Sequence, residues 1–186
     1  PPHKEAPMLT LFIGGASSGK SELAEVLARS QPGPRVYLAT LSARDAESRA
    51  RILRHRQRRA KDGYTTLEVP LGLTRLGADA LPPDSLVLLE SIGTLAANEL
   101  FSPGGAGQAP GGAARNAEAE ILAGIDLLAR RCRHLVLVSE EVNSGGADYL
   151  GDTLCYLRLM GRLNQALAQK ADRVYEAAAG LAIRRK

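Results

Sequence analysis

The sequence has no tryptophan, two phenylalanines and five tyrosines among 186 residues. So few rings give no stacking platform for unpaired bases, which argues against a nucleic-acid partner. It has only two cysteines, Cys132 and Cys155, far apart and without metal-ligand spacing. A reduced cytoplasmic protein is expected, not a disulfide scaffold or a zinc site. No apolar run approaches the roughly 18 residues that span a bilayer, so no membrane partner is expected. The run Leu9 to Ile13 is also too short for a signal-peptide core. Charged residues are only 24% against 45% hydrophobic, which suits one globular domain over residues 8–186. Residues 1–7, rich in proline, read as an appended leader ahead of a natural start at Met8. The net charge of +4 favours acidic ligands, phosphates above all.

What is present is Gly14-Gly15-Ala16-Ser17-Ser18-Gly19-Lys20-Ser21, directly after the apolar run Met8 to Ile13. This is the phosphate-loop pattern G-x-x-x-x-G-K-[ST] where it belongs, between a buried strand and a helix. Its glycines let backbone N–H groups approach phosphate oxygens, and the helix N-terminus adds partial positive charge. Lys20 is expected to reach the β and γ phosphates, and the Ser21 hydroxyl to ligate Mg²⁺.

Strand and helix patterns alternate along the chain. Strands are expected at Leu9–Ile13, Arg35–Ala39, Thr65–Val69, Ser85–Glu90, His134–Ser139, Arg173–Ala177 and Leu181–Arg184. Helices are expected at Ser21–Ser30, Ala43–Lys61, Arg115–Arg131 and Thr153–Lys170. That order predicts an α/β phosphate-loop NTPase fold, a mostly parallel central sheet flanked by helices. The Pro- and Gly-rich stretch 102–112 reads as a mobile surface loop.

Two acidic positions close apolar strands. Glu90 ends Leu86-Val87-Leu88-Leu89, where such folds keep the acid associated with magnesium. Glu140-Glu141 follow His134 to Ser139, and one of the pair is expected to face the site. Residues 49–61 hold seven cations and His55, and three readings fit them. They form a solvated basic helix, a nucleic-acid patch, or a phosphate-handling helix that presents His55 to a nucleotide. Flanking arginines keep an imidazole neutral and therefore nucleophilic, and could steady departing pyrophosphate. His3 lies in the leader, and His134, opening a strand, reads as structural. These residues alone also fit another small-molecule phosphate-loop kinase, or a nucleotide-dependent protein that binds RNA or an acidic partner.

Several stretches together resemble the bifunctional adenosylcobinamide kinase / adenosylcobinamide-phosphate guanylyltransferase family of cobalamin biosynthesis. They are residues 14–21, Val36-Tyr37-Leu38-Ala39-Thr40, Ala50-Arg51-Ile52-Leu53-Arg54-His55-Arg56 and Leu88-Leu89-Glu90. Further along come Ala97-Asn98-Glu99-Leu100-Phe101, Ser139-Glu140-Glu141-Val142, residues 161–168, Ala171-Asp172-Arg173-Val174 and Gly180. The resemblance implies two activities: phosphorylation of adenosylcobinamide by ATP or GTP, then GMP transfer from GTP to the phosphate through a guanylylated histidine. That histidine falls on His55. Nucleotide contacts fall on Gly14 to Ser21, on Ala39, Thr40 and Leu41, on Arg56, Gln57, Arg58 and Arg59, and on Glu68 and Glu90. Mg²⁺ falls on Ser21 and Glu90, and the resemblance suggests a homotrimer. The chain departs from the family pattern at residues 143–148, where many members carry Gly-x-Gly-Ile-Val-Pro, and at Leu157-Arg158, where many carry Arg-Asp.

Overall fold

The computed structural model describes residues 7–41, 52–53, 57, 59–142 and 149–186. Its strands are β1 (Met8–Gly14), β2 (Arg35–Ala39), β3 (Tyr64–Glu68), β4 (Leu86–Glu90), β5 (His134–Glu140), β6 (Arg173–Ala178) and β7 (Leu181–Arg184). Its helices are α1 (Lys20–Ser30), α2 (Ile92–Phe101), α3 (Ala113–Arg131) and α4 (Gly151–Lys170). Residues 52–53, 57 and 59–61 are also helical; the remainder of the helix expected over Ala43–Lys61 lies outside the described residues.

All seven strands join one sheet in the order β3-β2-β4-β5-β1-β6-β7, parallel except for the β6–β7 hairpin. The central strands are apolar on both faces because both faces are covered. Leu9, Leu11, Val36, Leu38, Val87, Leu89, Leu135 and Leu137 face the larger core cluster, with α2, α3 and α4. Phe12, Tyr37, Ala39, Leu86, Leu88, Val136 and Val138 face the smaller one, with Ala24 and Ala28 of α1. Right-handed crossovers produce this division. The β1-to-β2 connection runs one way along the sheet and puts α1 on one face. The β4-to-β5 and β5-to-β6 connections run back and put α2, α3 and α4 on the other.

Helix α2 has no counterpart in the sequence-based expectation. Seven of its ten residues are buried, including Asn98 and Glu99, so it shows no polar face and no amphipathic period. Its start is marked by Ser91, whose side chain accepts from Thr94 N. The stretch 102–112 is more structured than its composition suggests. It contains a 3₁₀ turn (Ala106–Gln108), and Gln108 Nε2 donates to the Leu100 carbonyl at 2.6 Å. Glu99, only 1% exposed, holds the Gly72 and Ala106 amides with its two oxygens, at 2.6 and 2.8 Å. Gly105 packs so closely on α2 that a Cβ there would stand 2.5 Å from the Glu99 carbonyl oxygen.

At the amino edge of the sheet His134 is 3% exposed, its Nε2 2.9 Å from Thr10 Oγ1. Burial, helped by Arg133 and Arg173 and opposed by Asp172, pushes its pKa down to about 4 from 6.5. Between those pH values the unfolded chain binds the proton and the folded chain resists it. The neutral ring's contribution is therefore complete above pH 6.5 and is lost as pH falls towards 4. At about 1.4 kcal/mol per unit the loss is on the order of 3 kcal/mol. Denaturant melts at pH 7, 6 and 5 should show His134→Gln losing less stability with acid than the parent; identical slopes would contradict this.

Candidate functional site: the carboxyl edge of the sheet

Parallel register brings the carboxyl ends of four strands to one edge. Gly14 pairs with Glu140, Val138 with Glu90, and Glu90 with Ala39. Beyond them, on the edge strand β3, Glu68 pairs with Ala39 and is exposed. Ligands of open α/β sheets bind at such an edge.

The loop from Gly14 to Ser21 leaves β1 through a gap that fits only glycine. A Cβ on Gly14 would stand 2.5 Å from Ser18 Oγ and 2.6 Å from the Ala177 carbonyl oxygen. The backbone then passes through left-handed positions at Ser17 and Gly19 (φ 57° and 88°) into α1. The turn between β6 and β7 braces it from outside, with Gly180 N donating to the Ser18 carbonyl at 2.9 Å. Helix α1 opens at Gly19 with no side-chain cap, so the first-turn N–H groups remain available to an anion. Lys20 curls over the loop, its Nζ 3.2 Å from the Gly15 carbonyl oxygen. A cavity of about 260 Å³ is lined by residues Ser17 to Glu22. Ser18 Oγ is buried and has no hydrogen-bond partner among the described residues. That orphaned hydroxyl, the open helix start and the ammonium fit a polyphosphate.

Glu90 faces this loop across β5. Its Oε1 accepts from Ser21 Oγ at 2.5 Å, and its Oε2 accepts from the Tyr37 hydroxyl. Burial, then the charge of Glu90, raises the Tyr37 phenol far above its ordinary range, against the opposing pull of Arg59, so it remains a donor. Two hard oxygens this close beside a phosphate-sized cavity fit Mg²⁺, which takes few protein ligands and completes its shell with phosphate oxygens and water. The backbone of Glu90 is fixed through Thr40, whose hydroxyl accepts from Ser91 N at 2.8 Å and donates to the Glu90 carbonyl at 3.0 Å. Asn98 of α2 holds the Thr40 carbonyl at 2.8 Å.

Of the residues singled out from the sequence, Gly14 to Ser21, Ala39, Thr40 and Glu90 therefore converge. Leu41 follows directly, half-buried, and Gln57 is exposed. Arg59 lies with Cζ 3.4 Å above the centre of the Tyr37 ring. His55, Arg56 and Arg58 lie outside the described residues, as do residues 143–148. Of the acidic pair ending β5, Glu140 accepts from Gly93 N at 2.8 Å, at the start of α2. Its charge, after burial, helps push the Tyr156 phenol up to about 12. Glu141 is exposed, and its amide donates to the Gly14 carbonyl at 2.9 Å. Tyr37 is the contributor that motif reading passed over. The signal was there in the alternation of β2, which places residue 37 on the face of Ala39. A larger cavity of about 640 Å³ lies at the opposite edge, between Pro34, Asp84 and Arg133. Arg131 and Arg133 there donate to the carbonyls of Leu76 and Pro32, which leaves a pocket remote from the phosphate loop.

A family model described as cobinamide kinase / cobinamide phosphate guanyltransferase matches residues 10–184. The bifunctional adenosylcobalamin biosynthesis protein CobU of Salmonella typhimurium is 34% identical over 183 residues, covering 96% of this chain and 100% of the relative. The protein of the same name from Escherichia coli is 33% identical over the same shares. The bifunctional adenosylcobalamin biosynthesis protein CobP of Pseudomonas aeruginosa is 31% identical over 94% of this chain and 95% of its own. Among solved structures, a DnaB-like replicative helicase, studied with its primase interactions, superposes with a TM-score of 0.52 at 10% identity. It shares the fold alone, over 93% of this chain and 47% of the helicase chain. With nearly its whole length matched by the family model, the chain belongs to the cobinamide kinase / cobinamide phosphate guanyltransferase family.

Proposed function

We propose that the carboxyl edge is one nucleotide site serving two transfers: phosphorylation of adenosylcobinamide, then addition of GMP to the phosphate formed. The observation that carries the reading is the meeting of the Gly14–Ser21 loop with Glu90 through the 2.5 Å Ser21 bond, in a chain matched over residues 10–184.

In the first transfer the loop amides and Lys20 hold the β and γ phosphates of ATP or GTP. The aminopropanol hydroxyl of adenosylcobinamide attacks the γ phosphorus, loses its proton and releases the nucleoside diphosphate. In the second, a neutral imidazole nitrogen of His55 attacks the α phosphorus of GTP. The bond to the bridging oxygen breaks and pyrophosphate leaves. An oxygen of adenosylcobinamide phosphate then attacks the same phosphorus, the P–N bond breaks, and the imidazole is restored with adenosylcobinamide-GDP as product. Arg56, Arg58 and Arg59 offer positive charge to the departing pyrophosphate. Ala39, Thr40, Leu41, Gln57 and Glu68 complete the guanine nucleotide contacts by resemblance to the family. Ser21 and Glu90 would hold Mg²⁺, which supplies charge neutralisation on the phosphate oxygens.

The two cysteines are free thiols, Cys132 pushed up to about 12 by burial, which supports work in the reducing cytoplasm. No helix among the described residues is long and apolar enough to cross a membrane. A homotrimer is proposed from the family resemblance.

Lys20→Ala should weaken GTP binding at least about 100-fold, near 2.7 kcal/mol, with little change in melting temperature. Lys20 is a loop-end cation outside both core clusters. Calorimetric titration and melting on the same sample test this, and parent-like affinity would remove the loop from the site. For the second transfer, mass spectrometry of GTP-treated protein should find one GMP adduct on the peptide containing His55. His55→Asn should abolish adduct and guanylyl transfer while retaining part of the kinase activity. An adduct elsewhere, or full transfer by the Asn variant, would overturn the route through His55.

A further inference from the structure

Tyr37 is 1% exposed, in the core between the sheet and α1. A phenylalanine would fill that space equally well; the hydroxyl is the part that packing does not explain. It donates to Glu90 Oε2, while Glu90 Oε1 takes the Ser21 hydroxyl. One carboxylate is thus clasped from two sides by hydroxyls belonging to different elements, β2 and the start of α1. Tyr37 pairs with Leu88, so Glu90 is its diagonal neighbour on the same face. Across such a diagonal only a long side chain reaches. The ring is oriented by Tyr64, edge-on at 6.0 Å and 89°. Its other exposure is closed by the Arg59 guanidinium at 3.4 Å. Arg59 follows His55 by four positions in the sequence.

We infer that Tyr37 is a positioning residue that sets the Glu90 carboxylate for the metal-bearing nucleotide, with Arg59 closing over its ring as the link from the basic helical segment to that carboxylate. The inference rests on the reading of Ser21 and Glu90 as the metal-side groups of the nucleotide site. Hydrogen bonds behind a metal ligand orient it, and removing one commonly costs tenfold or more in metal affinity. Arg59 acts by shielding the hydroxyl–carboxylate pair from water, which strengthens a hydrogen bond to a charged acceptor.

The test uses Mn²⁺ as the probe, read by electron paramagnetic resonance on protein saturated with α,β-methylene-GTP, which cannot donate GMP. Tyr37→Phe should raise the Mn²⁺ half-saturation about tenfold, with melting temperature close to the parent's. In GTP turnover the Mg²⁺ requirement should rise by the same factor, with kcat at saturating Mg²⁺ within about threefold. Arg59→Ala should shift the Mn²⁺ curve in the same direction, and by less in the Tyr37→Phe background than in the parent. If the parent binds Mn²⁺ with the analogue and Tyr37→Phe gives the same curve, the positioning role is overturned. Full additivity of the two substitutions would overturn the link through Arg59. A parent that binds no Mn²⁺ with the analogue would instead overturn the reading of the site on which the inference rests.

Discussion

The phosphate loop and the carboxylate that faces it belong to strands that are not neighbours, since β5 runs between β1 and β4. Parallel register resolves this by bringing all three out at one edge: β1 and β5 end level, Gly14 beside Glu140, and β4 ends two residues lower, Glu90 beside Val138. Ser21, one residue into α1, then needs only its hydroxyl to reach Glu90. Everything else at the edge depends on that alignment. Thr40 ties β2 to the turn after β4, and Asn98 ties α2 to Thr40. A slip of one residue in β4 would carry Glu90 to the opposite face, among the apolar side chains of α2 to α4.

The two faces of the sheet do different work. The side of α2, α3 and α4 holds most of the core: α3 and α4 are long and each buries one apolar face, and α2 is short and mostly buried. The α1 side is thinner and more polar: it carries Tyr37, Tyr64 and the buried Glu25, which pairs with Arg29. The proposed nucleotide site sits where the thin face meets the carboxyl edge. Leu157 and Arg158, which depart from the family pattern, lie on α4 across the sheet, with Arg158 exposed.

Much of this is legible in the sequence. Residues 14–21 announce their conformation because glycine, lysine and serine stand at the phosphate-loop spacing after an apolar strand, and β2 and β7 fall at their expected bounds because apolar runs flanked by Pro, Gly or charge leave little choice. Helix α2 escaped because burial on nearly all sides erases periodicity, and the 102–112 stretch because composition reports backbone freedom but not the hydrogen bonds of Glu99 and Gln108 that restrain it. The orientation of the Glu140-Glu141 pair was equally hidden. Alternation ceases to govern where a strand ends, and Glu140 turned to the amide of Gly93. Tyr37 was visible as a letter, but its role follows from a cross-strand diagonal that no local motif contains.

The proposal that a single edge performs two transfers in order is tested most directly by a time course on purified protein with adenosylcobinamide, GTP and Mg²⁺. Chromatography with mass detection should show the corrinoid gaining one phosphate first and a GMP unit afterwards, with both products absent when Mg²⁺ is chelated. A corrinoid left unchanged while GTP binds normally, or one that gains GMP without passing through the phosphate, would contradict it.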